Sequence, residues 1–323
     1  MLNRDLRLRV RRFRALALVT TLAVYLLILV GGIVRASGAG MGCPDWPKCF
    51  DRWVPPTDEA QLPADYQQIY ADRGYGETRF NATKTWTEYL NRMLGVGVGI
   101  LVILTFLASL GLCRLSPGLP FASLGALISV VVAGWLGSVL IDTNLAGWAV
   151  TIHMLVALLT AGFLILGLVY ARAASSTVGL LATTRLGTLF AFVLLLSTLQ
   201  IALGTRVRGQ IDELSQGGAM AAEWLSDLGA VFLIHRSLSI VVLVANLVLI
   251  YRIRRATLSR GPLHTIGNFL VLVLVLEIAA GAGLYYLEMP PVLQPIHLLL
   301  AAIAAGLQFG MWAIFRSETR RVM

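Results

Sequence analysis

Glu88-Tyr-Leu-Asn91-Arg92-Met-Leu and Phe232-Leu-Ile-His235-Arg236-Ser-Leu are two copies of one stretch, 144 residues apart. The same shift carries Ile152-His153-Met-Leu-Val-Ala onto Ile296-His297-Leu-Leu-Leu-Ala. It also carries Gly137 and Gly162 onto Gly281 and Gly306, with no gap anywhere between. The chain is therefore a duplication. In the C-terminal copy the paired positions are both histidine, His235 and His297. In the N-terminal copy they are Asn91 and His153, so one imidazole has been lost.

The composition says what the duplicated unit is made of. Of 323 residues, 57% are hydrophobic and 13% charged, and the mean hydropathy is +0.78. Apolar runs of about 20 residues read as membrane spans. Eight are found, at roughly 15–35, 87–112, 120–141, 149–171, 186–206, 230–251, 265–287 and 293–315. The one long segment between them is 36–86. The expected fold is an all-α membrane protein of eight transmembrane helices, arranged as two tandem pseudo-symmetric four-helix bundles. The halves divide at 1–172 and 173–323, and the 36–86 loop elaborates the first half only. An even number of spans per half makes the repeats parallel, about an axis along the membrane normal. Gly32-Ile-Val-Arg35 in span 1 is loosely echoed by Gly204-Thr-Arg206 in span 5.

The formal net charge of +9 invites a nucleic-acid reading, but its placement argues against one. Basic residues crowd into segment 1–14, into 252–260 (Arg252, Arg254, Arg255, Arg260) and into the tail (Arg316, Arg320, Arg321). With eight spans these segments share one side. The positive-inside rule makes that side the cytoplasm, with both termini there. The apolar stretch 15–34 is too long for a signal-peptide core, and Gly40 disfavours a lipoprotein site at Cys43, so the first helix is expected to be retained.

Cofactor sites in four-helix bundles are built from side chains on facing helices. Asn91, His153, His235 and His297 each stand a few residues below the outer end of their span, at one depth. Ionisable groups inside a membrane are costly and usually functional. Neutral imidazole is a good iron ligand, and a haem wedged between two helices satisfies both rings of His235 and His297. A Zn or Cu site is the alternative, but the Cys, Asp or Glu ligands it needs are missing at this depth. His264, at the cytoplasmic start of span 7, reads as interfacial.

The first half has exchanged an imidazole for Asn91 and an apolar residue (Phe232 in the second copy) for Glu88. Glu88 reads either as a solvated acid paired with Arg92 at i+4 or as the acid of a site handling a transient ligand. Arg35, Arg92, Arg206, Arg208 and Arg236 lie near outer span ends, against the positive-inside bias. Guanidinium forks bind carboxylates bidentately, and haem carries two propionates. Lipid-headgroup anchoring is the other reading of these arginines. Cys43 and Cys49 flank Pro-Asp-Trp-Pro-Lys in the outer loop, where an oxidising compartment permits a disulfide that would stiffen a lid. Their spacing is not a metal motif.

Gly31-Gly32-Ile-Val-Arg-Ala-Ser-Gly-Ala-Gly-Met-Gly-Cys-Pro-Asp-Trp-Pro-Lys-Cys, Glu88-x-x-x-Arg92, and His235-Arg236 with distant His297 resemble the haem A synthase family over nearly the whole chain. The resemblance implies haem b held by His235 and His297, and the arginine reading puts its propionates at Arg206, Arg208 and Arg236. It implies haem O as substrate in the first half, near His153, Asn91, Arg92 and Arg35. There the C8 methyl is oxidised to a formyl group by successive hydroxylations, and electrons leave through haem b. Glu88 matches the family's essential carboxylate, and Cys43 and Cys49 match its loop pair. Many members carry a histidine at the position of Asn91. The implied partners are haem O, membrane lipids and an electron acceptor such as quinone. Haem O synthase and a second copy of the chain are further candidates; nucleic acid is not. Two other readings compete: a membrane b-type cytochrome exchanging electrons with quinone, and a haem-binding or delivery protein without chemistry.

Overall fold

The computed structural model describes residues 4–76, 78–173, 184–216, 224, 228–256 and 261–322. The expected division of the halves at 172/173 falls in the last turn of a helix; residues 174–183 and Arg260 lie outside the described residues. Eight long helices follow one another: α1 Arg4–Ala36, α2 Ala82–Leu110, α3 Gly118–Asp142, α4 Gly147–Ala173, α5 Thr184–Gln216, α6 Ala230–Ala256, α7 Pro262–Tyr286 and α8 Leu293–Val322. All eight are long and apolar enough to cross a membrane. No strand occurs among the described residues. Each helix matches its expected apolar run within five residues at both ends, except that α1 begins 11 residues earlier and α5 and α8 end 10 and 7 later, because polar turns extend a helix without adding hydropathy.

Local chemistry sets the boundaries. Asn81 caps α2, its side chain accepting from the Lys84 N–H at 3.0 Å. Pro262 opens α7, where its missing N–H costs nothing. The α3–α4 and α7–α8 connections turn through consecutive left-handed pairs, Asn144-Leu145 (φ 48° and 60°) and Glu288-Met289 (φ 56° and 60°). The Leu145 N–H donates to the Leu140 carbonyl at 2.8 Å and the Met289 N–H to the Leu284 carbonyl at 3.0 Å. These residues stand 144 apart, so the repeat read in the helices extends to their turns.

In the first half, α1 and α3 each pack against α2 and α4. In the second, α5 and α7 each pack against α6 and α8. Neither α2 with α4 nor α6 with α8 forms an extended contact. Hence the helices that carry the four paired positions stand diagonally across their bundles, which leaves the space between them to be filled. Further along, that space is filled. In the first half Val102 and Leu164 belong to one buried cluster with residues of α1 and α3. At the equivalent level of the second, Gln308 Nε2 donates to Asn246 Oδ1 at 2.9 Å, both residues fully buried. The halves join through α1 and α4 on α8, and α4 on α5. Gly32 lets Pro295 approach: a Cβ there would stand 3.0 Å from the proline Cβ. Thr151 and Thr205 hydroxyls bridge the same seam at 2.7 Å.

Candidate functional site

His153, His235 and His297 stand in the second turn of α4, α6 and α8, and Asn91 in the third turn of α2. The His153 ring lies against the Ala133 carbonyl of α3, the His235 ring against the Gln200 carbonyl of α5 and the His297 ring against the Glu277 carbonyl of α7. Each of these carbonyls lies four residues before a glycine: Gly137, Gly204 and Gly281. None of the contacts reaches hydrogen-bond geometry, so Nδ1 of all three imidazoles is buried without a partner, as is Asn91 Oδ1. An orphaned buried polar atom carries a desolvation cost of about 1–3 kcal/mol. Such a cost at all four repeat positions together marks a site rather than a packing accident.

The second-half pair is the better formed. His235 and His297 are close enough that charge on one is felt at the other. A Cβ at Gly204 would stand 3.1 Å from His235 Cε1, and a Cβ at Gly281 would stand 3.2 Å from His297 Cε1. The two glycines are therefore seats for imidazole edges. Buried Nδ1 beside a backbone carbonyl, with the ring edge seated, suits an imidazole whose other nitrogen binds iron. The residues fit a bis-histidine haem. In the first half a Cβ at Gly137 would meet nothing within 4 Å, so His153 is not seated in the same way. Among the described residues, no group of three or more His, Cys, Asp or Glu is arranged to hold a bare metal ion.

Glu88 and Arg92 do pair, but not as a solvated couple. Glu88 is 4% exposed. Its Oε1 accepts from Arg92 Nε at 3.1 Å and from Arg92 Nη2, and its Oε2 accepts from the Cys43 N–H at 3.0 Å. Arg92 also donates to the carbonyls of Asp45 at 2.7 Å, Lys48 at 2.9 Å and Cys43 at 3.4 Å. These are residues of the ring closed by the Cys43–Cys49 disulfide, with Cα atoms 4.9 Å apart. The disulfide is buried in an aromatic cluster in which Phe50 meets Tyr66, Tyr70, Tyr75 and Phe80 edge-on. Burial pushes the Tyr75 hydroxyl pKa upward, and the Glu88 carboxylate adds to the shift. Neutral at ordinary pH, that hydroxyl donates to the Met41 and Gly42 carbonyls. The outer loop is thus fastened to the first turns of α2.

The arginines divide. Arg35 reaches across the seam to Asp212, with Nε and Nη2 at 3.0 and 2.6 Å from Oδ2. Arg208 Nη2 holds the other oxygen of Asp212 at 2.7 Å, and its Nη1 donates to Gln294 Oε1 at 2.6 Å. Arg236 stacks over Tyr285 at 5.5 Å, and Tyr285 lies parallel to Phe232. Arg206 is exposed, with Nη1 near Gly147 at the start of α4. Asp212 and Glu277 did not emerge from the sequence reading. Asp212 stands at i+4 from Arg208, and Glu277 is a carboxylate within an apolar run; both signals were available.

Residues 14–309 match the family model described as cytochrome oxidase assembly protein. A protein named Heme A synthase from Shewanella oneidensis is 30% identical over 138 residues, 42% of this chain and 39% of that protein. One of the same name from Cereibacter sphaeroides is 29% identical over 58% of this chain and 52% of its own length. With both, the match spans about half the relative or less. With a third, from Sinorhizobium fredii, 24% identity extends over 96% of this chain and 92% of the relative. The family match runs through every paired position, both cysteines and all eight helices, and the chain belongs to the cytochrome oxidase assembly protein family.

Proposed function

We propose that this protein is a haem A synthase, an oxidoreductase that converts the C8 methyl of haem O to a formyl group by successive hydroxylations. The observation that carries the reading is the contrast between halves. One diagonal helix pair presents two seated imidazoles. The other presents a single imidazole, with Glu88 one turn before Asn91 and Arg92 directly after it on the opposite helix. The first arrangement suits a resident group and the second a group that arrives, reacts and leaves.

His235 and His297 would hold haem b, which when bound supplies one-electron transfer away from the substrate. His153 would bind the iron of haem O, with Asn91 beside it offering no comparable donor. Glu88 would stabilise positive charge at the oxidised methyl carbon or position water there. Arg92 keeps that carboxylate oriented, and the loop ring covers it from water. Arg206, Arg208 and Arg236 would serve haem b propionates, and Arg35 those of haem O. The fit to Arg35 and Arg208 requires that Asp212 share them, as a carboxylate among guanidinium groups. The charge pattern supports cytoplasmic termini in a bacterial inner membrane. Membrane lipids surround the helices; the electron acceptor would be quinone or a comparable carrier. Haem O synthase and a second copy of the chain are further candidate partners.

Asn91 keeps the second reading in view, since a chain with one complete bis-imidazole site could serve as a b-type cytochrome. Reduced-pyridine haem analysis of the purified protein, expressed with and without a source of haem O, separates the two. Haem A or hydroxylated haem O appearing only with that source is the expected result. Haem b alone under both conditions, with full reduction by quinol, would overturn the enzyme reading.

A further inference from the structure

Within the eight apolar runs of the sequence there are two carboxylates, Glu88 and Glu277. Glu277 has no part in the function described so far. It lies on α7, one turn before Gly281, the seat of the His297 ring. Its Oε1 is 3.2 Å from His297 Nδ1, and its side chain is 18% exposed. Its Oε2 is buried without a partner, and His297 Nδ1 has no partner in hydrogen-bond geometry, its 3.2 Å approach to Glu277 included. A carboxylate left this poorly paired inside a membrane protein is expensive. Among the described residues its ionic neighbour is the imidazole. The repeat position in the first half is Ala133, beside His153, and there the glycine seat is empty of contacts as well. His235 has a different support: Gln200 Nε2 donates to the His235 carbonyl at 2.9 Å, which fixes the helix turn rather than the ring.

We propose that Glu277 is a positioning residue for His297. From 3.2 Å, a small turn of the ring lets its carboxylate accept the Nδ1–H, which selects the tautomer that leaves Nε2 free to bind iron and makes the imidazole a stronger donor. The inference rests on the reading that the second half holds haem b through His235 and His297. Its consequence is an asymmetry of grip. A histidine backed by a carboxylate retains its haem and favours the ferric state. His153, backed by Ala133, binds a haem that must be released.

The test uses the full-length protein in detergent with the haem b it carries. Two quantities are read for Glu277→Ala and Glu277→Gln: the midpoint potential of haem b and the rate of haem transfer to excess apomyoglobin. Glu277→Ala is expected to raise the potential and to weaken haem retention about 10- to 100-fold. Glu277→Gln keeps an acceptor oxygen without the charge, so it should raise the potential while retaining haem better than the alanine variant. If Glu277→Ala does not accumulate, the potential of Glu277→Gln decides. Wild-type potential and wild-type transfer in the variants, with His297→Ala losing the haem b spectrum, overturn the proposal and leave the haem reading standing. An unchanged spectrum in His297→Ala overturns both.

Discussion

Glu88 and Phe232 occupy one repeat position and do opposite things. Phe232 stacks on Tyr285 in an apolar end turn, whereas Glu88 gathers Arg92 and the Cys43 N–H around a buried charge. Replacing Glu88 by Gln keeps the size and removes the charge. Conversion of haem O should fall about 10²- to 10³-fold, the usual loss when one preorganised electrostatic group is removed. The haem b spectrum should persist, because Glu88 touches neither His235 nor His297. Loss of both signals together would show that Glu88 acts only on folding. Asn91→His restores the missing imidazole. It should hold substrate haem more tightly and slow product release, seen as more haem A co-purifying with the protein. Unchanged turnover and unchanged co-purification would make the Asn91 asymmetry irrelevant. The i+4 pairing of Glu88 with Arg92 was legible in the sequence. That the pair is buried under a disulfide ring was not, because Cys43 and Asp45 reach it from more than 40 residues away.

Among elements, the outer loop and the two left-handed turns carry the most specific geometry. Gly42 lies so near α2 that a Cβ would stand 2.5 Å from the Lys84 carbonyl oxygen. Neither partner is a flexible side chain. Gly42→Ala should therefore push the loop off the helix, lowering stability by about 1–3 kcal/mol, the range for overpacking. A fall in the thermal midpoint in detergent and faster proteolysis within 36–86 would report it. Glu288 is exposed at φ 56°. Glu288→Gly should relieve about 1 kcal/mol of left-handed backbone strain and raise the midpoint. The eight helices were legible, to within a few residues except at the polar start of α1 and the polar ends of α5 and α8, since apolar length is a property of the chain alone. The turns were not, because only Asn144 is of a type that enters the left-handed region readily; Leu145, Glu288 and Met289 are held there by the constraint of joining adjacent antiparallel helices.

At the scale of the whole molecule, the two halves meet along α1, α4, α5 and α8, and Asp212 is the polar point of that seam. Arg35 comes from one half and Arg208 from the other, and both close on its carboxylate. Arg35 and Asp212 retain 20% and 28% side-chain exposure. Removing the acid should therefore cost about 1–2 kcal/mol, less than for a fully buried pair. Asp212→Ala should lower the thermal midpoint of the intact protein. If the propionate assignment holds, it should also alter haem retention by freeing two guanidinium groups. A variant with unchanged midpoint and unchanged haem content would reduce the cluster to a surface feature.

Duplication, eight crossings and the positions of the paired histidines follow from the chain by itself, because periodic hydropathy and an ungapped repeat survive without any knowledge of contacts. The partners of those histidines came only with the tertiary structure. A glycine seat, a carbonyl one turn earlier, Glu277 beside His297 and Asp212 between two arginines all depend on which helix faces which, and side chains from separate helices meet only once packing has chosen their register.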